Sequence, residues 1–287
     1  MNVKIGMLSF AHMHAMSYAN CLKQIDGVDI VGIFNEDEGS GKSLADKFSA
    51  KYFSDFNKLL EQDLDAVLVC SANADHKTHV LASADSGCKY ILCEKPIATT
   101  IKDAKEMIEK CKEKGKIFGI SFPCRYIPAV INAKQAIDEN TIGKILAVKT
   151  TNHGRMPGGW FIQKEKSGGG AVMDHTPHVV DLLRWIMKSD PVEVYAEIDN
   201  RFYHKDIDDT GILTIQFDNG VFATLDTSWS RMKSYPTWGD VTMDFIGTDG
   251  VISVDSFAQD IDLYSDANMS AQLSIRFTKH INSFQMT

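Results

Sequence analysis

The hydrophobic residues of this chain follow one spacing in its first part and another in its second. Up to about residue 120, short uninterrupted apolar runs alternate with segments whose apolar residues recur every three to four positions. Short apolar runs are typical of parallel strands buried on both faces, and their alternation with helices predicts a doubly wound α/β domain. The predicted strands are residues 3–8, 28–34, 66–70, 90–93 and 117–120, and the predicted helices are 15–25, 43–48, 75–85 and 101–114.

After residue 122 the pattern changes. A helix is predicted over 128–139, a strand over 145–151, and a helix that ends near Met187, with a glycine- and aromatic-rich loop over 153–170. From Val192 onward apolar and polar residues alternate, and Asp-Asn-Gly and Thr-Asp-Gly between the runs are hairpin signals. This half therefore predicts an antiparallel sheet with one face covered by helices. Its clearest strands are 211–217, 221–229, 241–246 and 251–254.

Charge and composition narrow the possible functions. The formal net charge is −8 at pH 7, and such a chain repels phosphate backbones, which argues against a nucleic-acid partner. No apolar run is long enough to cross a bilayer and no secretory signal is visible at the start, so we expect neither a membrane partner nor export. The absence of a C-x-x-C pair predicts reduced, buried thiols in a cytoplasmic protein, without metal or disulfide roles. The six cysteines are Cys21, Cys70, Cys88, Cys93, Cys111 and Cys124.

A phosphate-binding turn is expected after the first strand. Its three glycine positions in the pattern G-x-G-x-x-G fall here on Ser9, Ala11 and His14. Serine and alanine keep part of the close approach that glycine gives to a pyrophosphate, whereas His14 departs from the pattern. The alternative is a turn that only joins a strand to a helix.

The second predicted strand ends in polar residues. Asn35 can bind a ribose hydroxyl, while Glu36 and Asp37 would repel a 2′-phosphate, which favours NAD over NADP. The alternative is a solvated acidic loop.

Lys95 directly follows a predicted strand and precedes Pro96, which restricts its backbone. A lysine held at the carboxyl edge of the sheet can donate to a substrate oxygen and stabilise developing negative charge. The alternative is a surface lysine before a proline that begins a helix.

Asp174 and His178 are four residues apart, so they share one face of the predicted helix and form a natural proton-transfer pair. Pro177 is tolerable only in a first helical turn, which would make Asp174 the N-cap. A metal site that uses these residues with His175 and His153 lacks a full ligand spacing. For His79, four residues after Asp75, we expect a place on the helix surface.

Together these motifs resemble the Gfo/Idh/MocA family of glucose–fructose oxidoreductases and inositol dehydrogenases. The most specific part is the Cys-Glu-Lys-Pro motif at 93–96, followed at the expected separation by residues 168–178. Supporting segments are 66–76, 125–128 and 159–160. The resemblance extends from residue 3 to about residue 254.

The resemblance implies roles residue by residue. Lys95 matches the catalytic lysine, Asp174 the aspartate that holds substrate hydroxyls, and His178 the general acid/base. The positions that match dinucleotide contacts are Ser9, Phe10, Ala11, His12, Met13, Asn35, Ser71, Asn73, His76 and Glu94, and those that match substrate or nicotinamide contacts are Arg125, His153, Trp160 and His175.

It also implies a fold and a reaction. The fold is an N-terminal Rossmann domain, residues 1–121, and a C-terminal α+β domain, residues 122–287, whose open, predominantly antiparallel sheet often forms an oligomer interface. The substrate of the family sits between the domains. We therefore expect a homo-oligomeric oxidoreductase that uses NAD, or alternatively NADP, on a sugar, polyol or similar hydroxylated substrate.

Three features depart from the family pattern: the replaced glycines, Asn35 where an acidic residue is frequent, and an end at Thr287 where family members continue through further helix and strand. Two other functions stay open. One is a non-catalytic relative that binds a dinucleotide or a sugar, and the other is a metal-dependent lyase or hydrolase that uses His175 and His178.

Overall fold

The computed structural model describes residues 2–257, 260–265 and 277–278. It divides the chain into two compact units, one of Met1–Ser121 with Gly159–Gly168 and one of Phe122–Gly158 with the chain from Gly169 onward. The sequence analysis assigns the segment Gly159–Gly168 to the second domain, whereas the structure places it with the first unit. Among the described residues, no helix combines the length and the apolar character that a membrane span needs.

The first unit contains a parallel sheet with helices between its strands. Its elements are β1 (Val3–Leu8), α1 (His14–Leu22), β2 (Val28–Phe34), α2 (Glu38–Phe48), β3 (Lys51–Phe53), α3 (Phe56–Leu60), β4 (Ala66–Val69), α4 (His76–Asp85), β5 (Tyr90–Cys93), α5 (Ile101–Glu113) and β6 (Ile117–Ile120). In the described part of this unit, the six strands are arranged in the order β3-β2-β1-β4-β5-β6. This order is that of a Rossmann sheet, and it reverses between β1 and β4, where the carboxyl ends of strands leave a crevice for ligands. The predicted fold class is confirmed for this half.

Two parts of this unit differ from the expectation. Helix α2 begins at Glu38 and includes the glycine- and serine-rich stretch, because the Asp37 carboxylate accepts the N–H of Ser40 (2.8 Å) and caps the helix. Strand β3 and helix α3 were not predicted, because three- and five-residue elements are too short to show a hydrophobic period.

The second unit contains a second sheet. The remaining elements, in chain order, are α6 (Pro128–Asp138), β7 (Ile145–His153), α7 (Lys164–Ser167, in the first unit), α8 (Ala171–Met187), β8 (Pro191–Asp199), β9 (Thr210–Phe217), β10 (Phe222–Ser228), β11 (Thr242–Gly247), β12 (Gly250–Asp255), β13 (Asp260–Ser265) and β14 (Phe277–Thr278). In the part of the chain that the structure describes, eight strands form this sheet in the order β14-β13-β12-β11-β7-β10-β9-β8. Strands β7 and β10 pair in parallel and every other neighbouring pair of these strands is antiparallel, so the predicted, predominantly antiparallel sheet is confirmed.

One face of this sheet forms the core of the second unit. Alternate residues of β9, among them Leu213 and Ile215, are buried, and they pack in one cluster with Val179 and Leu182 of α8 and Val130 of α6. The intervening residues of β9 face away and are exposed, so the period-two pattern has the physical cause expected from the sequence.

The start of α8 corrects two expectations. The helix begins at Ala171, so Pro177 lies in its interior and Asp174, whose N–H donates to the Gly170 carbonyl (3.0 Å), is not the N-cap. The cap comes instead from a distant residue. The Asp208 carboxylate accepts the N–H groups of Gly170 (2.7 Å) and Val172 (2.9 Å), which satisfies two of the helix's unpaired amides.

Two positions before α8 require glycine, each for a different physical reason. Gly168 adopts a φ of 81°, in the left-handed region that favours glycine. Gly170 lies so close to the backbone of Asp208, in the loop between β8 and β9, that a Cβ atom on it would meet the Asp208 carbonyl oxygen at 1.8 Å. The contact between Asp208 and α8 therefore requires glycine at residue 170.

The variant Gly170→Ala should lower the free energy of unfolding by about 2–3 kcal/mol, the usual cost of forcing an extra carbon into a packed contact. Gly87→Ala is the matched control, because a Cβ there meets nothing within 4 Å. Urea unfolding of both variants measures the difference, and equal stability of the two would contradict the close approach at Gly170.

Candidate active site

The turn after β1 keeps the backbone shape of a glycine turn without glycine. Ser9 follows the last residue of β1 and has a φ of 72°, which is unusual for a residue with a side chain. Its N–H donates to the Phe34 carbonyl (2.8 Å) and its Oγ donates to the Glu36 carboxylate (2.8 Å). These two bonds hold Ser9 in the conformation that the first glycine of the pattern supplies.

The backbone amides of this turn already have acceptors. The N–H of Phe10 donates to Asn35 Oδ1 (3.0 Å), that of Ala11 to Ser9 Oγ (3.0 Å) and that of His14 to His12 Nδ1 (3.2 Å). In a glycine turn such amides approach phosphate oxygens. Here an incoming anion competes with three side-chain acceptors.

Asn35 serves the turn and the next helix. It is buried, its Oδ1 accepts from Phe10, and its Nδ2 donates to the Asp37 carbonyl (3.1 Å) and to Ser40 Oγ (2.9 Å). The neighbouring Glu36 is exposed and accepts a hydrogen bond from Ser9, so Glu36 rather than Asn35 offers carboxylate oxygens at the end of β2. Glu36 is thus a candidate site residue, whereas the sequence predicted only that its charge would repel a 2′-phosphate.

Glu94 is the centre of a buried hydrogen-bond network at the carboxyl end of β5. Its Oε1 accepts from Tyr18 and pairs with His14 Nδ1 (3.0 Å), and its Oε2 accepts the N–H of Lys95 (3.0 Å). Tyr18 also bonds to Ser121 Oγ (2.8 Å). Tyr18 was not predicted as a site residue. Because it lies four residues after His14 on α1, Tyr18 and His14 share one face of the helix.

This network keeps Glu94 ionised. Burial raises the pKa of Glu94, but the hydrogen bond from His14, the proximity of the His12 and His14 rings, and the Tyr18 hydroxyl outweigh it and lower the pKa to about 2. The pKa of Tyr18 is raised by burial and by the Glu94 charge. Glu94 therefore remains a carboxylate, and Tyr18 a neutral hydroxyl that donates to it.

His12, His14 and Glu94 each place one potential metal-ligand atom within 4.8 Å of the others. The hydrogen bond from the His14 N–H requires a lone pair on His12 Nδ1, which leaves the proton of a neutral His12 on Nε2, the nitrogen that faces Glu94 at 3.9 Å. A metal on Nε2 needs the opposite tautomer. The arrangement therefore favours a hydrogen-bond network over a metal site.

Ser71, Asn73 and His76, which were also assigned to the dinucleotide, form hydrogen bonds with neighbouring segments of the protein. His76 is fully buried, with Nδ1 at 2.9 Å from the Pro96 carbonyl and Nε2 at 3.2 Å from the Ser71 carbonyl. Asn73 donates to the Ser167 carbonyl (2.8 Å), which ties it to α7. His79, expected on the surface, is buried against Ser71 Oγ (3.0 Å), so that expectation is wrong.

Lys95 and Trp160 belong to the same unit as the turn. Lys95 is buried, which excludes the simple surface-lysine alternative. A cis peptide bond joins it to Pro96. Trp160 donates its Nε1–H to the Ala11 carbonyl (3.0 Å) and stacks on Phe161 at 3.9 Å between ring centroids, and the Phe161 ring also packs on His12. Trp160 therefore covers the turn, whereas Met13 at its end is exposed.

In the second unit, Asp174 and His178 lie one turn apart on α8 as predicted. Asp174 accepts from the indole N–H of Trp229 (3.4 Å). His178 Nδ1 lies 3.6 Å from the Cys124 Sγ. Cys124 was predicted only to be a buried thiol, and no local sequence pattern predicts its contact with His178.

The three remaining residues assigned to substrate have protein partners. Arg125 forms a bidentate pair with Asp181 (2.6 and 2.5 Å), and the Nδ1–H of buried His175 donates to the Asn152 carbonyl (2.8 Å). His153 lies at the end of β7 rather than in a loop, because the strand extends two residues further than predicted.

His153 is clamped by two carboxylates. Its Nδ1 lies 3.0 Å from Asp240 and its Nε2 lies 3.1 Å from Asp226. Burial lowers the pKa of His153, but hydrogen bonds to Asp226 and Asp240 and their charges raise it to about 9. Asp240 also accepts from Arg231 Nε (2.7 Å), so His153 is part of a charged cluster at this end of the sheet.

Family comparisons match both halves of the chain. Residues 3–122 match the model described as "Oxidoreductase family, NAD-binding Rossmann fold", and residues 130–253 match the GFO/IDH/MocA C-terminal domain. Together these matches cover most of the sequence. The predicted family resemblance is thereby confirmed.

Individual relatives act on sugars and polyols. The chain is 33% identical to the 1,5-anhydro-D-fructose reductase of Ensifer adhaerens over 57% of its own length, but spans only half of that protein. It is 28% identical to the myo-inositol 2-dehydrogenase of Thermotoga maritima over 88% of this chain and 75% of that protein. A levoglucosan dehydrogenase solved with NADH superposes with a TM-score of 0.87 over 98% of this chain and 80% of that one, and at 23% identity this shows a shared fold.

The His153 cluster predicts a measurable pH dependence. Because the folded pKa of about 9 exceeds the ordinary 6.5, the stabilisation from this cluster is complete below pH 6.5 and is lost as the pH rises through 9. NMR titration of the His153 ring should give a midpoint near 9, and Asp226→Asn should lower that midpoint.

Asp244→Asn removes a carboxylate from the adjacent strand β11 and serves as the control, which should leave the midpoint unchanged. A midpoint near 6.5 in the wild-type protein would show that the two carboxylates do not hold the proton.

Proposed function

The chain belongs to the Gfo/Idh/MocA oxidoreductase family, and from that premise we propose that it transfers a hydride between NAD and a CH–OH group of a sugar, polyol or related substrate. The observation that carries the proposal is the Glu94–Lys95 pair at the carboxyl end of β5, where a buried lysine follows a buried, ionised carboxylate. The named relatives reduce or oxidise 1,5-anhydro-D-fructose, myo-inositol and levoglucosan, which supports a sugar-like substrate.

The first unit fits a dinucleotide at its carboxyl edge. The small residues Ser9 and Ala11 occupy the glycine positions, and Glu36 offers carboxylate oxygens to the ribose hydroxyls. The same carboxylate repels a 2′-phosphate, which favours NAD over NADP. For the pyrophosphate, the chain offers the start of α1 and the imidazoles of His12 and His14 in place of open glycine amides.

Lys95 is proposed to hold the substrate oxygen. Its ammonium donates to the hydroxyl that is oxidised and stabilises negative charge as the proton leaves. Glu94 accepts the Lys95 backbone N–H at 3.0 Å, which fixes the main chain from which the lysine extends. When bound, the nicotinamide takes up or returns the hydride of the adjacent carbon.

His178 is proposed as the general base in oxidation and the general acid in reduction. A neutral imidazole takes the hydroxyl proton at Nε2 in oxidation, and the protonated ring returns it in reduction. Asp174, on the same face of α8, is proposed to accept hydrogen bonds from neighbouring substrate hydroxyls. Trp229 holds one of its oxygens by the 3.4 Å contact.

A non-catalytic binding protein is the second candidate. The observation that favours it is the internal hydrogen bonding of the turn, because the amides of Phe10, Ala11 and His14 already have acceptors. A protein of this kind would bind a sugar or a dinucleotide without turnover. Turnover of any polyol separates the two candidates.

Self-association through the second sheet is also proposed. The face opposite its helices exposes large apolar side chains on adjacent strands, where Phe222 of β10 and Ile246 of β11 both pair with Ala147 of β7, and Ile212 of β9 lies further along. Such a patch is typical of an interface between protein chains.

We also propose a reducing, cytoplasmic location. The six cysteines all lie in the part of the chain that the structure describes, and no disulfide joins any two of them, which supports this location.

Phe222→Glu should shift the mass measured by light scattering from a multiple of the chain mass to a single chain, because a carboxylate would have to be buried in the interface. Ile101→Glu, which replaces an exposed apolar side chain on α5 of the first unit, is the control and should leave the mass unchanged. A single-chain mass for the wild-type protein would contradict the proposal.

Lys95→Ala should lower kcat by about a hundredfold or more, the scale of losing one donor to a developing oxyanion, without changing NADH binding. Lys102→Ala, an exposed lysine on α5, is the matched control. The assay follows NADH absorbance with myo-inositol, 1,5-anhydro-D-fructose and levoglucosan as probes. Wild-type turnover that survives in Lys95→Ala would remove the lysine from the mechanism.

A further inference from the structure

Cys124 and His178 form a thiol–imidazole contact within the second unit. The Cys124 Sγ lies 3.6 Å from His178 Nδ1, a hydrogen-bond contact that is longer than one between nitrogen and oxygen because sulfur is the larger atom and a weak partner. Both residues are half-buried, and Cys124 packs against the core beneath α8. A sulfur atom therefore faces the ring nitrogen opposite the one that is proposed to take the substrate proton.

The contact is set by a neighbouring ion pair. Cys124 belongs to a single helical turn, Pro123–Tyr126, whose Arg125 grips Asp181 with two hydrogen bonds of 2.6 and 2.5 Å. Asp181 lies three residues after His178 on α8, so the two share a helix face. The Arg125 guanidinium also lies 5.5 Å from the Trp185 ring centre, one turn further along.

Arg125 thus has a positioning contact in addition to the substrate contact that the family resemblance implies. Its Nε–H and an Nη2–H both donate to Asp181, and this rigid fork of the guanidinium fixes the helical turn against α8. The residue immediately before it is thereby placed beside His178. This clamp is a preformed geometry and requires no ligand.

We propose that Cys124 is a positioning residue that sets the ring orientation and the tautomer of His178. His178 Nδ1–H donates to the Cys124 sulfur, which keeps the proton on Nδ1 and the lone pair on Nε2. The inference rests on the proposed function, because only a general base at Nε2 makes this tautomer the productive one. A ring that takes a proton at Nε2 must already carry its other proton on Nδ1.

The tautomer can be read without a substrate. Long-range proton–nitrogen NMR spectra of ¹⁵N-histidine protein distinguish protonated from unprotonated ring nitrogens, and His178→Gln assigns the signals. In spectra recorded at about pH 8.5, wild-type His178 should show a protonated Nδ1 and an unprotonated Nε2. Cys124→Ala should raise the share of the other tautomer, and Cys124→Ser should restore the wild-type pattern because a hydroxyl also accepts the proton.

The matched control is Cys21→Ala, which removes an exposed thiol from α1 in the first unit and should leave the His178 signals unchanged. Three results would overturn the inference: an unprotonated Nδ1 in the wild-type protein, a doubly protonated ring at that pH, or a tautomer that does not respond to Cys124→Ala.

Kinetics supply a second readout if a polyol is turned over. Cys124→Ala should lower kcat about five- to tenfold, the scale of one weak hydrogen bond, with KM unchanged, and Cys124→Ser should recover most of it. A purely structural role would reduce thermal stability in both variants and leave their kcat equal. If no polyol is turned over, the proposed function fails, while the NMR result still decides the role of Cys124.

Discussion

A buried carboxylate at the end of β5 is the constraint on which the first unit depends. An ionised group without solvent must be surrounded by donors, and Glu94 has three of them on two segments: His14 and Tyr18 from α1, and the backbone N–H of Lys95 after β5. Tyr18 also forms a hydrogen bond with Ser121, which follows β6. The ends of β5 and β6 and the start of α1 are therefore tied together by one charge. This explains a histidine at the third glycine position, because the imidazole is needed as a partner for Glu94.

The second unit places its chemistry by the same kind of constraint. The start of α8 is capped by Asp208 from a distant segment, and that cap is possible only because Gly170 has no side chain. Further along the helix, the pair of Arg125 and Asp181 fixes a short turn against the face that carries His178. Asp174 and His178 thus lie on a helix that is fixed by Asp208 at its start and by the Arg125–Asp181 pair further along. A functional group on such an element keeps its orientation better than one on a loop.

The sequence predicted most of the fold, because hydrophobic periodicity reports strands and helices of ordinary length. The strand at 90–93 was located to the residue, and α2 began earlier only because Asp37 caps it. The site was harder to predict, because motif positions do not reveal hydrogen-bond partners. Asn35 occupies the expected ribose position, yet its side chain serves the turn, and Glu36 offers the carboxylate instead. The pairing of Cys124 with His178 joins residues 54 apart, and no local pattern carries such information.

The central claim is that a turn without glycine still forms a dinucleotide site in which Glu36 selects NAD. The most direct test is a fluorescence titration of the wild-type protein and of Glu36→Gln with NADH and with NADPH. The account predicts saturable NADH binding, NADPH binding weaker by about tenfold or more, and a smaller difference in Glu36→Gln, since the variant no longer repels a 2′-phosphate. Absence of saturation with either nucleotide up to about 1 mM, the upper end of ordinary KM values, would contradict it.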